Sequence, residues 1–129
     1  MTDTTTTTPY ATTDATDREP TDAPFEGVYP AMTTPFTEDD AVDHDQLAEN
    51  ARYLERAGVD GVVPVGSTGE SATMSHDEHV AVIETVRDAL DDIPVIAGTG
   101  SNNTAEALSL SRRAADAGAD GLLLISPYY

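Results

Sequence analysis

The pentapeptide Ala57-Gly58-Val59-Asp60-Gly61 returns sixty residues later as Ala117-Gly118-Ala119-Asp120-Gly121, and this echo constrains the fold more than any other feature. Each copy follows a stretch with a helical apolar stripe and precedes a short apolar run, the order of a helix feeding a strand. One more helix and strand lie between the copies, so the chain reads as repeated βα units of about thirty residues. That spacing matches a parallel sheet closed into a (β/α)8 TIM barrel of about 250 residues. With 129 residues and about four βα units, the expected class is α/β: half of such a barrel, not closed in this chain. An open half exposes strand edges and interior apolar side chains, so it is expected to aggregate or to need a partner.

Composition divides the chain near Pro24. Residues 1–24 are rich in threonine and aspartate, carry Pro9 and Pro20, and offer almost nothing apolar to bury; a disordered acidic tail is expected there, and a folded domain over 25–129. The tail lacks the apolar core of a secretory signal, and no run approaches the roughly 18 apolar residues that span a bilayer. A soluble, cytoplasmic protein is expected. The net charge is −18, with 24 acidic residues, six basic residues that are all arginine, and no lysine. Such a chain repels nucleic acid and anionic membranes, which excludes both as partners. A lysine-free acidic surface also suits molar salt, where screening over roughly 3 Å removes self-repulsion, and the expected source is a halophile. With no cysteine, disulfides, thiolate catalysis and thiolate-bound metals are excluded.

The units can be placed by their caps and stripes. A first strand is expected over Gly27–Met32, then a helix opened by Asp43 with Gln46 as its capping-box partner, striped by Leu47, Ala51 and Leu54 and ended by Gly58. A second strand, Gly61–Val65, leads to a helix opened by Ser75 with Glu78, whose apolar face is Val82, Ile83, Val86 and Leu90. The third strand is expected over Pro94–Ala97, followed by the Gly98-Thr99-Gly100 loop and a helix capped by Asn103 with Glu106 at its third position. Gly118 ends that helix, and Gly121–Ile125 forms the fourth strand.

The second strand runs directly into Gly66-Ser67-Thr68-Gly69-Glu70. Two hydroxyls and two glycines at the end of a buried strand, with a helix start close by, make an anion pocket from O–H and N–H groups. The ligand expected from this turn alone is a carboxylate or a phosphate, with an ordinary βα turn as the plain alternative. His76 and His79 lie three apart on one helix face. A metal pair is disfavoured, since no cysteine or further histidine supplies a third ligand, and no metal or cofactor is expected. Gly98-Thr99-Gly100 lacks the third glycine of a dinucleotide fingerprint, where Asn103 stands.

Taken together, Thr33-Thr34-Pro35-Phe36, the run from Gly66 to Thr73, Gly98-Thr99-Gly100 and Pro127-Tyr128-Tyr129 resemble the dihydrodipicolinate synthase family over roughly Phe25 to Tyr129. That family, with N-acetylneuraminate lyase and 2-keto-3-deoxygluconate aldolase as relatives, consists of pyruvate-dependent, typically tetrameric (β/α)8 enzymes that use a Schiff-base lysine. The resemblance places this chain in the N-terminal half of the barrel. It implies that Thr68, with the backbone of Gly66 and Gly69, binds the pyruvate carboxylate. Ser67 and Tyr129 would form a proton relay, Tyr129 by crossing a dimer interface; the synthases usually carry threonine where Ser67 stands. A plain alternative for Tyr129 is an aromatic plug on the barrel rim. A second set, Ser71, Ala72, His76, His79, Asn102, Glu106 and Tyr128, matches the family's lysine-feedback site. Glu106 there suits an ammonium group; the plain alternative leaves these residues as solvated first-turn groups and helix-start partners.

Schiff-base chemistry needs an amine that can lose its proton, and arginine stays protonated. In the family the nucleophile lies on the sixth strand, and a further relay tyrosine and a substrate arginine near the fifth, so all fall beyond Tyr129. The expectation is a fragment, inactive alone, of an enzyme that condenses pyruvate with aspartate semialdehyde in lysine and diaminopimelate biosynthesis. A sugar-acid aldolase of the same family and a non-catalytic half-barrel are the alternatives.

Overall fold

The computed structural model describes residues 24–129; the expected acidic tail, apart from Pro24, lies outside the described residues. Three helices are built where the caps direct them. α1 spans His44–Arg56 and α2 spans His76–Ala89. α3 spans Thr104–Asp116, and a single helical turn, Ser71–Thr73, precedes α2. Asp43, Ser75 and Asn103 each accept a backbone N–H of the first turn, from Gln46, Glu78 and Ala105, satisfying donors that have no partner within the helix. The reciprocal half of each capping box is not made in the expected form. Gln46 Nε2 instead donates to Asn50, and the third box is relayed: Asn103 N–H donates to Ser101 Oγ, which donates to Glu106.

The extended segments run parallel in the order 28–32, 61–65, 94–98 and 121–123. Regular pairing is shorter than the sequence suggests. β1 covers Ile96–Gly98 and β2 covers Gly121–Leu123, while the first two segments touch their neighbours through the single bridges Ala31 with Val63 and Val62 with Val95. Proline explains the shortfall. Val62 N–H donates to Pro94 and its carbonyl accepts from Ile96; two residues on, Pro64 accepts from Gly98 but has no N–H to return. Pro30 interrupts the first segment in the same way. The third strand also runs one residue further than expected, taking in Gly98.

The repeated pentapeptide has a repeated job. Gly58 and Gly118 sit at φ +91° and +97°, ending α1 and α3 with the same pattern of backbone bonds. Asp60 N–H then donates to Val28 O while its carboxylate accepts Val28 N–H at 2.7 Å. Asp120 does the same to Val95, at 2.8 and 2.9 Å. Each aspartate thus clamps the start of the neighbouring strand by both of its backbone groups. The core lies between the strands and the helices: Leu47 and Ala51 of α1 and Val82, Ile83 and Val86 of α2 close over Val62, Val95 and Ala97. Each buried Leu, Ile or Val contributes about 1.5–3 kcal/mol. At the other flank, Leu122, Leu123, Leu124 and Ile125 are exposed.

Among the described residues no helix is long and apolar enough to cross a membrane. Among the same residues, no group of three or more His, Cys, Asp or Glu side chains is placed to hold a metal ion.

Candidate functional site

At the C-terminal ends of the strands, the chain turns sharply after Val65. Gly69 N–H and Ser71 N–H both donate to Gly66 O, at 3.1 and 3.3 Å, and Glu70 N–H donates to Ser67 O at 3.1 Å. The turn places Val65 at φ +50° and Glu70 at φ +60°, a left-handed region that costs a β-branched residue most. Sequence reading missed this strain, because nothing about a valine announces it. Thr34 holds the turn from beneath, donating a buried hydroxyl to Gly69 O at 2.7 Å. A methyl group on Gly69 would be tightly placed, 3.0 Å from Met32 O and 3.1 Å from Val65 N. Gly66 is roomier: the nearest atom to a methyl group there would be Leu123 Cδ2, at 3.8 Å.

Ser67 and Thr68 are exposed, and neither hydroxyl has a hydrogen-bond partner among the described residues. Their donors are therefore uncommitted among the described residues. Tyr129 is fully exposed.

Beside the turn lies a cavity of about 430 Å³ between α2, α3 and the strand ends. It brings together all seven residues of the second set, Ser71, Ala72, His76, His79, Asn102, Glu106 and Tyr128, with Gly66 and Ser67 at the same wall. Thr68, Gly69 and Tyr129 do not line it. Several of its polar groups already hold one another. Glu106 accepts Ser101 Oγ–H at 2.8 Å and lies 3.8 Å from His76 Nε2. Asn102 grips the backbone of Tyr128 with both ends of its amide, donating to Tyr128 O at 3.0 Å and accepting Tyr128 N–H at 2.8 Å. Ser101, which the sequence did not single out, is the hinge of this network.

His79 departs from the solvated first-turn alternative. It is 3 % exposed and its Nε2 lies 2.6 Å from Gly98 O. Burial lowers its pKa below the ordinary 6.5, against the opposing pull of the Gly98 bond and with a further lowering from the charge on His76. Nε2 is the donor in this bond, because a carbonyl only accepts. Thr99, inside the Gly98-Thr99-Gly100 motif, is wholly buried and shares a 2.8 Å hydrogen bond with Ser111 of α3. Its work is to hold the strand end to the helix.

The sequence model of the dihydrodipicolinate synthetase family matches residues 24–129. The chain belongs to the dihydrodipicolinate synthetase family. Within that family, the 4-hydroxy-tetrahydrodipicolinate synthase of Natronomonas pharaonis is 73 % identical over 105 residues, which are 81 % of this chain and 36 % of the relative. The dihydrodipicolinate synthase of Acinetobacter baumannii, solved with pyruvate, is 41 % identical with a TM-score of 0.77, covering 80 % of this chain and 36 % of that one. The enzyme of Cyanidioschyzon merolae, solved with lysine bound, is 37 % identical with a TM-score of 0.78, covering 81 % and 36 %. The chain thus spans about a third of the length of the dihydrodipicolinate synthases it matches, and its βα units are those of a TIM-barrel family.

Proposed function

We propose that this chain supplies the carboxylate-binding part of a 4-hydroxy-tetrahydrodipicolinate synthase, one that condenses pyruvate with aspartate semialdehyde through a Schiff base. The observation that carries the reading is the pair of unspent hydroxyls at Ser67 and Thr68 on a turn clamped from beneath by Thr34. A relative 73 % identical bears the synthase name, and a solved relative holds pyruvate. In this reading Thr68 and the amides of Ser67 and Thr68, which no bond within the turn uses, fix the carboxylate, and Ser67 and Tyr129 carry protons as the imine becomes an enamine. The amine nucleophile comes from the part of the relatives' length that this chain does not span, because the chain has no lysine. A homo-oligomer, tetrameric as in the family, would bring Tyr129 to a neighbouring site.

The cavity beside the turn is read as an effector site for L-lysine. Support comes from the convergence of all seven expected residues on one cavity and from the relative solved with lysine bound. Glu106 would take an ammonium group, displacing or sharing its contact with His76. The acidic, lysine-free composition is read as halophilic, in keeping with the haloarchaeal relative.

A chimera tests the whole reading. Residues 24–129 of this chain replace the matching segment of the Natronomonas pharaonis synthase, and labelled pyruvate is trapped with borohydride. A covalent adduct with the chimera and none with the 129-residue chain is the expected outcome. An adduct on the isolated chain would place the nucleophile wrongly, and an inactive but folded chimera would remove the synthase reading. L-Lysine binding undetectable at millimolar concentration in the active chimera would remove the effector site.

A further inference from the structure

His79 is spent on a backbone carbonyl, and that carbonyl belongs to the residue that braces the strained turn. Gly98 is held on three sides. Its N–H donates to Pro64 O at 3.0 Å and its carbonyl accepts from His79 Nε2 at 2.6 Å. Its α-carbon faces the turn so closely that a methyl group there would overlap Val65 O and lie 2.7 Å from Val65 C and 2.9 Å from Gly66 Cα. The backbone it presses on is the one at φ +50°, a conformation that persists only where neighbours over-determine it.

The other ring nitrogen has a different outlook. No buried side-chain nitrogen or oxygen among the described residues lacks a hydrogen-bond partner. Nδ1 of His79 has no such partner among the described residues, so it is not sealed from solvent, and His79 lines the cavity.

We infer that His79 is a positioning residue for the substrate turn: through Gly98 it holds the Val65–Gly66 backbone in place, and so aims the Ser67 and Thr68 donors. The inference rests on reading that turn as the pyruvate carboxylate site. Loss of the ring N–H frees the Gly98 carbonyl, lets the strand end drift from Val65, and loosens the turn without touching any group that meets substrate.

Hydrogen exchange read by mass spectrometry, on the 129-residue chain and in parallel on the chimera, follows the amides of Gly69, Glu70 and Ser71. His79→Leu is expected to speed their exchange about tenfold, the worth of roughly one hydrogen bond, while peptides of α1 stay unchanged. His79→Gln, which restores an N–H near the Nε2 position, is expected to return exchange to within about twofold. In the chimera, KM for pyruvate rises about five- to tenfold in His79→Leu, recovers in His79→Gln, and moves more than kcat. Faster exchange everywhere, or no change at the turn, overturns the inference, as does a glutamine variant that folds but does not rescue. If the leucine variant does not fold, the glutamine comparison decides alone. A chimera that forms no pyruvate adduct refutes the synthase reading, and the exchange experiment still decides the role of His79.

Discussion

The turn after Val65 and the cavity beside it are neighbours at the same strand ends, yet they dispose of their polar groups in opposite ways. On the turn, Ser67 and Thr68 have no partner among the described residues. Around the cavity, Glu106, Asn102 and His79 are each engaged by a serine hydroxyl or a backbone group. The lesson is a division of labour. Unspent donors on a braced backbone are ready for an anion with little reorganisation, whereas a ligand entering the cavity must share or replace contacts already made. Under the proposed function, the first arrangement would hold a substrate in every turnover, and the second would take an effector whose binding shifts neighbouring structure.

The largest way to break the comparison is to deform the brace. Gly98→Ala puts a methyl group into the Val65 carbonyl, and all the nearest atoms are backbone, so nothing flexible can yield. A loss of about 3 kcal/mol in urea denaturation is expected, together with loss of pyruvate binding in the chimera. A variant as stable as the parent would show that the strand end and the turn do not bear on each other.

A smaller perturbation uses pH. His79 is buried and its pKa is lowered, so between the folded and unfolded values the unfolded chain binds more protons. Its contribution to stability is complete above the ordinary 6.5 and is lost as pH falls from there through the folded value. Glu55 adds to this lower down. Its carboxylate accepts the N–H groups of Asp91 and Asp92 at 3.1–3.3 Å, and chiefly the Asp91 bond lowers its pKa from the usual 4.5. Its contribution is therefore lost as pH falls below that figure. Denaturation midpoints against pH are expected to decline in these two windows, and His79→Gln is expected to flatten the upper one alone.

Much of this architecture was legible in the sequence, and particular residues show where legibility stopped. Asp43, Ser75 and Asn103 read correctly as caps because a cap is a local event, a side chain meeting an amide two or three residues on. The pentapeptide echo gave away the parallel units for the same reason. The clamp made by Asp60 and Asp120 was invisible, since its partners Val28 and Val95 lie 32 and 25 residues earlier. Strand lengths were overstated because apolar runs advertise burial and not hydrogen bonding, and Pro30 and Pro64 withhold the donors that a ladder needs. For the cavity, the family resemblance gathered the seven residues, but His79 could be told from His76 only by packing. One is buried against Gly98 and the other is half exposed beside Glu106. Periodicity puts both on the same face.

The cavity side of the comparison is sharpened by Asn102→Ala. It removes two hydrogen bonds to the Tyr128 backbone, both exposed, so the expected loss is about 1 kcal/mol. Exchange of the Tyr128 amide should quicken while the Gly66–Glu70 turn stays as protected as before. If the turn loosens as well, the two regions are not separable and the division of labour fails.

The smallest effect on stability is expected where the effect on binding is greatest. Ser67→Ala and Thr68→Val remove hydroxyls that are exposed and unpartnered among the described residues, so neither change leaves a buried group there unsatisfied. Each is expected to move stability by no more than about 0.5 kcal/mol. In the chimera Thr68→Val should raise KM for pyruvate about tenfold or more, by removing a hydrogen bond to a charged carboxylate worth about 1.5–3 kcal/mol. Ser67→Ala should instead lower kcat, because its proposed part is to carry a proton and not to hold the ligand. A variant at either position that proves markedly unstable would mean that its hydroxyl is structural, and the contrast between a waiting turn and an occupied cavity would then be lost.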